Sequence, residues 1–166
     1  MLVGNSGVGK TTLVSSFLGL AMNNIKSTEG VDIFFKRLKI NQNTVMNLNL
    51  WDFSGRREYA KIRQEFYCEL HGIIYVFSLN DSSSLNNIEN WLRETKKYLG
   101  DKLYGILVGT KSDLTRDVTQ NDIDSICSKY KLGYYEVSAY TGINVEKMFE
   151  DYSVNLFDIL PKEKKR

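Results

Sequence analysis

The chain has 166 residues, of which 42% are hydrophobic and 25% are charged, and its formal net charge is +2. This length suits one domain, and the composition lacks the polar bias of disordered proteins. The balanced charge argues against nucleic-acid binding, and no apolar run reaches the roughly 18–20 residues of a membrane-spanning helix. Two cysteines, Cys68 and Cys127, form no spaced pair typical of zinc or redox sites. We therefore expect a cytoplasmic globular protein.

The predicted elements alternate between strands and helices. A brief apolar run at residues 1–3 precedes a glycine-rich loop, from which a helix over Lys10–Leu18 begins. Extended segments at 33–40 and 45–51, separated by a turn-rich spacer, predict an antiparallel hairpin. Further strands are predicted at 72–79, 103–108 and 134–137, and amphipathic helices at 85–99, 123–130 and 145–156.

This alternation predicts an α/β fold with a six-stranded, mostly parallel sheet, one antiparallel edge pair and helices on both faces. The uninterrupted apolar run at 73–77 is typical of a parallel strand covered on both sides. In such folds, ligands bind at the carboxyl ends of the strands. The first strand is shorter than the usual 5–6 residues, and we expect it to be truncated. One domain is expected over 1–160, followed by a basic tail at 161–166.

A phosphate-binding loop is predicted at residues 4–11, whose sequence G-N-S-G-V-G-K-T satisfies the P-loop pattern between a strand and a helix. Glycines let backbone N–H groups face the phosphates, Lys10 would bridge the β- and γ-phosphates, and the hydroxyl of Thr11 would bind Mg²⁺. A glycine-rich surface turn would not explain agreement at every constrained position. The expected nucleotide contacts are Asn5, Ser6, Gly7, Val8, Gly9, Lys10, Thr11 and Thr12.

A second motif, D-F-S-G at residues 52–55, follows the third extended segment. Asp52 is predicted at a strand end, where its carboxylate could hold Mg²⁺ through a water, and Gly55 would donate its N–H group to the γ-phosphate. The tetrapeptide alone is weak evidence. Its position some 40 residues behind the P-loop makes it much stronger.

Base recognition is predicted from T-K-S-D at residues 110–113. The Asp113 carboxylate can accept two hydrogen bonds from the N1–H and exocyclic amine of guanine, whereas adenine offers no such pair. Lys111 would lie along the base, and Ser138 and Ala139 would bring a backbone N–H group to the guanine oxygen. A kinase or ATPase reading of the P-loop is disfavoured by Asp113.

These motifs, with Ser6 and the S-T-E-G-V-D segment at 27–32, resemble the Ras superfamily of small GTPases and are most similar to its Rab branch. The resemblance implies a P-loop NTPase fold of the Ras-like type, GTP or GDP with Mg²⁺, GTP hydrolysis, and a switch role in signalling or vesicle trafficking. It also implies that Thr28 bonds Mg²⁺ and the γ-phosphate only in the GTP state. The implied metal ligands are Thr11, Thr28 and Asp52, and the implied catalytic residues are Lys10, Thr28, Gly55 and Arg56.

The resemblance further implies protein partners, namely effectors, exchange factors and activating proteins that bind around Thr28 and Arg56. No nucleic-acid partner is expected, and the protein is expected to be a monomer. No cysteine near the C-terminus could accept a prenyl group, so peripheral membrane attachment would require a lipidated tail missing from this chain.

The sequence departs from the family pattern at Arg56, where a water-orienting glutamine is usual. Arginine has donors but no acceptor, which predicts slow intrinsic hydrolysis. The alternatives are a constitutively GTP-bound interaction module that does not hydrolyse GTP, an internal arginine finger, and a side chain that simply faces solvent. Thr110 replaces asparagine, and Tyr140 replaces lysine in the S-A-K motif. Both are still expected to contact the nucleotide.

Overall fold

A computed structural model describes residues 1–23, 25–100 and 104–161. The strands β1 to β6 are Leu2–Val3, Val31–Asn41, Thr44–Phe53, Gly72–Ser78, Tyr104–Thr110 and Gly133–Glu136. The α-helices α1 to α6 are Lys10–Leu18, Ala60–Phe66, Ser82–Asn86, Ile88–Leu99, Gln120–Tyr130 and Val145–Ile159. Single 3₁₀ turns lie at Arg57–Tyr59 and Tyr67–Glu69.

The described strands form one six-stranded sheet in the order β2-β3-β1-β4-β5-β6. Strands β2 and β3 pair antiparallel, and every other neighbouring pair is parallel. The carboxyl ends of β1, β3, β4, β5 and β6 therefore meet at one edge. This confirms the predicted α/β fold, and it places the loops after β1, β3, β5 and β6 side by side.

Alternating side chains of the central strands build a hydrophobic core on each face of the sheet. In β4, Ile74 and Val76 join the core that contains Phe17 of α1 and Phe149 of α6, whose rings stack 4.0 Å apart. Residues of β4 that point the other way, such as Phe77, join the core packed against α4 and α5. The predicted two-sided burial of the run at 73–77 is therefore confirmed.

Several predicted boundaries change. The single helical pattern at 85–99 divides into α3 and α4 at Asn87. Asp81 caps the amino end of α3, with its carboxylate accepting a hydrogen bond from the Ser83 amide at 3.1 Å. The segment 57–69, given no element from sequence, contains α2 and the two 3₁₀ turns. Strand β6 begins and ends one residue before its predicted bounds.

The structure describes the first strand in full but only the first residue of the predicted C-terminal tail. Strand β1 has only two residues, Leu2 and Val3, and both are buried. Of the predicted basic tail at 161–166, only Pro161 is among the described residues, and Leu103, the predicted start of β5, is also outside them. Across the described ranges, no helix has both the length and the apolar character needed to span a membrane.

Candidate nucleotide-binding site

The P-loop connects β1 to α1 and holds the side chain of Lys10 inside it. Gly9, the residue before the helix, has a left-handed conformation with φ of 97°, which glycine adopts without a steric penalty. Lys10 is only 6% exposed, and its Nζ donates to the carbonyls of Gly4 and Asn5 at 2.9 Å each. Burial lowers the pKa of Lys10 to about 8, an effect that the nearby charge of Asp52 opposes. An anionic ligand in this loop would supply the counter-charge that the ammonium lacks.

Three oxygen-bearing side chains meet beside the P-loop. The hydroxyl of Thr11 donates to Oδ2 of Asp52 at 2.5 Å, and the hydroxyl of Thr28 lies 3.1 Å from the same oxygen. The two threonine oxygens are 2.9 Å apart. These residues come from α1, from the loop before β2 and from β3, so the fold joins segments that are 17 to 41 residues apart in sequence.

This group of three side chains fits Mg²⁺. Asp52 is fully buried, and its second carboxylate oxygen, Oδ1, has no hydrogen-bond partner in the structure. Burial is the main reason that the pKa of Asp52 is raised. A divalent cation would offset both costs, and Mg²⁺ prefers a few protein oxygens combined with phosphate and water oxygens. Among the described residues, no group of three or more histidine, cysteine or carboxylate side chains is placed to hold a metal ion.

A pocket of about 170 Å³ opens over the P-loop. It is lined by Ser6, Gly7, Gly9, Lys10, Thr11, Thr12, Ile25, Lys26, Ser27, Thr28, Ser54 and Gly55. The predicted phosphate-binding and metal-binding segments therefore face a common space.

Gly55 packs directly against the P-loop backbone. A Cβ atom at this position would lie 2.3 Å from the Ser6 nitrogen and 2.5 Å from the Gly4 carbonyl oxygen. No larger residue fits without moving backbone, so the D-x-x-G glycine is required by contact as well as by any role of its N–H group.

The two predicted base-recognition loops are joined to each other. The hydroxyl of Ser138 donates to Oδ1 of Asp113 at 2.6 Å, and the amide of Ser112 donates to the carbonyl of Val137 at 3.2 Å. The backbone amide of Thr141 donates to the Ser138 hydroxyl. The carboxylate predicted to select the base is thereby oriented by the loop that follows β6.

Thr110 connects these loops to the P-loop. Its hydroxyl lies 2.5 Å from the carbonyl oxygen of Val8 and 2.9 Å from that of Phe77. The family pattern has asparagine at this position. In this chain the Thr110 hydroxyl instead holds the loop after β5 against the phosphate-binding loop.

Other predicted contacts lie outside the lining of the 170 Å³ pocket. Asn5 turns its side chain away, since its Oδ1 accepts hydrogen bonds from Trp91 and Asn87, while its carbonyl accepts from Lys10. Lys111 has a left-handed backbone with φ of 59°. Tyr140 is 83% exposed beside Ala139.

Arg56 is directed toward solvent. Its side chain is 46% exposed, and Nη1 lies 3.5 Å from Oε1 of Glu58, a distance typical of a weak surface ion pair. Arg56 is not among the residues lining the pocket, although the preceding Gly55 is.

Sequence reasoning missed a buried arginine next to this site. Arg63 on α2 is 2% exposed and forms a bidentate pair with Glu94 on α4. Local sequence does not distinguish Arg63 from the exposed Arg56 and Arg57. The i, i+3 spacing of Trp91 and Glu94 places both on one face of a helix, but it does not indicate which residue packs against that face.

The site combines a P-loop that contains a buried lysine with two hydroxyls and a carboxylate at a strand end. Together with the strand order of the sheet, these features define a P-loop nucleotide-binding domain of the Ras-like type. The Ras family model matches residues 1–157. The chain is 35% identical over 159 residues to the human Ras-related protein Rab-30, covering 94% of this chain and 78% of that protein. It is 31% identical to Ras-related protein YPTC6 of Chlamydomonas reinhardtii (98% and 76% covered) and 33% identical to Ras-related protein RABD2a of Arabidopsis thaliana (94% and 78%).

The chain therefore belongs to the Ras family and is a small GTPase of the Rab-like branch. Members of this family bind GTP and GDP with Mg²⁺ and interact with regulators and effectors. The expected fold, family and cofactors are confirmed.

Proposed function

We propose that this chain is a nucleotide-dependent switch in intracellular trafficking, with slow intrinsic GTP hydrolysis, built on one domain over residues 1–160. The observation that carries the proposal is that Thr11 and Thr28, which both hydrogen-bond to Asp52, line the same pocket as Lys10 and Gly55. Similarity to several Rab-related proteins supports the trafficking role.

Each group at the pocket has a distinct role in this proposal. Lys10 and the P-loop amides stabilise the phosphate charge, and the Gly55 amide contacts the γ-phosphate. Thr11, Thr28 and Asp52 would hold Mg²⁺, which would supply positive charge to offset the negative charge of the phosphates. Thr28 lies in a loop before β2, so loss of the γ-phosphate would release this loop and change the partner-binding surface.

The base-binding role belongs to the joined loops after β5 and β6. Asp113 accepts from guanine, Lys111 lies along the base, and Ala139 donates its amide to the guanine oxygen. Ser138 orients Asp113 through their 2.6 Å hydrogen bond. Tyr140 contacts the nucleotide from the same loop.

Slow hydrolysis follows from the chemistry of Arg56. A guanidinium cannot accept a hydrogen bond from the attacking water, and this side chain faces Glu58 instead of the pocket. We expect Arg56→Gln to raise the single-turnover hydrolysis rate by roughly 10- to 100-fold, because an amide oxygen can orient the water. The measurement is phosphate release from preloaded GTP.

Arg57→Gln is the matched control, since it removes the same charge one residue further along the exposed segment. Its rate should remain within about twofold of wild type, the scale of a surface charge change. Equal rates for wild type and Arg56→Gln would show that another group positions the water.

The exposure of Arg56 also favours a second candidate, a GTP-bound recruitment module without significant turnover. Chromatography of nucleotide extracted from the purified protein separates the two. Retained GTP favours the module and GDP favours the hydrolase, while ATP or ADP would reject both.

The proposed partner surfaces are the segments around Thr28 and Arg56, where effectors, exchange factors and activating proteins would bind. A monomer located in the cytoplasm, with only peripheral membrane association, accords with this function. Analytical sedimentation would measure the oligomeric state, and cell fractionation would measure the location.

A further inference from the structure

Arg63 uses most of its hydrogen-bonding capacity inside the protein. Its Nε and Nη2 atoms donate to the two carboxylate oxygens of Glu94 at 3.1 and 3.3 Å. Its Nη1 atom donates to the carbonyls of Ser54 and Arg56 at 3.0 Å each. A planar guanidinium can make this combination of contacts, whereas the single ammonium of lysine cannot.

The two carbonyls that Arg63 binds lie on either side of Gly55. Gly55 contacts the P-loop so closely that any Cβ would overlap the backbone of Asn5 and Ser6. Arg63 therefore fixes both ends of the short segment 54–56, whose middle residue lines the nucleotide pocket.

Helix α4 anchors this arrangement at two further points. Tyr67 donates its hydroxyl to Glu94 at 2.6 Å, which orients the carboxylate. The Arg63 guanidinium lies over the Trp91 ring, 4.7 Å from its centroid, and the Trp91 indole N–H donates to Asn5 in the P-loop at 3.1 Å. One face of α4 thus contacts both the arginine and the phosphate-binding loop.

We infer that Arg63 and Glu94 are positioning residues that hold the Gly55 amide toward the γ-phosphate position, so that α4 controls how strongly the site prefers GTP over GDP. This inference rests on the proposed contact between Gly55 and the γ-phosphate. GDP has no γ-phosphate, so loss of the Arg63–Glu94 pair weakens GTP binding and leaves GDP binding nearly unchanged. A general loss of stability would weaken the binding of GTP and GDP alike.

The test measures the affinities of GTPγS and GDP, each with Mg²⁺, by displacement of a fluorescent guanine nucleotide. Glu94→Gln keeps the size of the side chain and an acceptor for Tyr67, but it removes the counter-charge of Arg63. We expect this variant to lower the ratio of GTPγS to GDP affinity by about 10-fold, within the 5- to 150-fold range of typical coupling between sites.

A double variant, Arg63→Met with Glu94→Gln, separates positioning from stability. It removes both charges, and replacing a buried ion pair by uncharged groups is often neutral for folding. The Ser54 and Arg56 carbonyls lose their donor, so the double variant should melt somewhat below wild type but remain folded. Its affinity ratio should stay reduced by about 10-fold under conditions in which it is folded.

Glu89→Gln is the matched control. It removes a carboxylate from the same helix, where Glu89 pairs with the exposed Lys129 at 2.8 Å. Its affinity ratio should equal that of wild type. Amide hydrogen exchange supplies a second readout, since residues 54–56 should exchange faster in the double variant than in Glu89→Gln.

The outcomes distinguish failure of the positioning role of Arg63 and Glu94 from failure of the proposed function. A reduced ratio in the double variant, with GDP affinity retained, supports the inference. An unchanged ratio in a folded double variant overturns it while leaving the proposed function intact. A wild-type protein that binds neither guanine nucleotide overturns the proposed function and this inference together.

Discussion

Lys10→Met is expected to weaken GDP binding in the presence of Mg²⁺ by about 10- to 100-fold. Each charge-assisted hydrogen bond from the ammonium to a phosphate oxygen contributes about 1.5–3 kcal/mol, and with GDP, which lacks the γ-phosphate, Lys10 can make one, to the β-phosphate. Methionine preserves the length and apolar stem of the side chain. The measurement is the equilibrium dissociation constant for GDP.

Loss of folding would not explain this result. Burial already disfavours the charged form of Lys10, so methionine removes a group whose desolvation costs the free protein stability. Thermal melting without nucleotide should confirm a folded variant.

Lys26→Met is the matched control for Lys10. Lys26 also lines the pocket and carries the same charge, but it is exposed. Screening by solvent limits its contribution, and we expect at most about a threefold change in affinity. A Lys10→Met protein that binds GDP as tightly as Lys26→Met would contradict the phosphate role.

Asp113→Asn is expected to remove most of the preference for guanine over adenine nucleotides. The carboxylate can accept two charge-assisted hydrogen bonds, which together supply about 10²–10⁴-fold selectivity, whereas an amide presents one acceptor and a donor that opposes the guanine N–H groups. The variant should bind GDP and ADP within about 10-fold of each other by the same estimate of bond energies. Competition of GDP and ADP for the site measures this ratio.

Asp124→Ala provides the comparison for Asp113. Asp124 is an exposed carboxylate on α5 that accepts from Gln120 at 2.8 Å. Its removal should leave the GDP to ADP ratio unchanged. If Asp113→Asn retained full selectivity, the base would have to be read by other groups.

The sequence was most informative where chemistry requires several residue types at fixed spacing. The P-loop pattern predicted the start of α1 at Lys10, and the D-x-x-G motif predicted that Asp52 would lie at a strand end. Two-sided burial of β4 could be predicted because a parallel strand has no polar face. The roles of these residues toward nucleotide stay predictions.

The contacts around Arg63 could not be predicted because they depend on tertiary packing. Burial of an arginine is favourable only if its donors are satisfied, and here the acceptors are the Glu94 carboxylate and the carbonyls of Ser54 and Arg56, whose approach to Arg63 no motif specifies. The break between α3 and α4 was missed for a related reason. Apolar spacing continues across Asn87 while the backbone hydrogen bonding changes there.

Titration calorimetry of the wild-type chain with GDP and with ADP, both with Mg²⁺, tests most directly whether the four loops build one guanine-nucleotide pocket. Two charge-assisted bonds to guanine predict GDP binding at least about 100-fold tighter than ADP binding. Equal affinity for the two nucleotides, or no binding of either, would contradict the account.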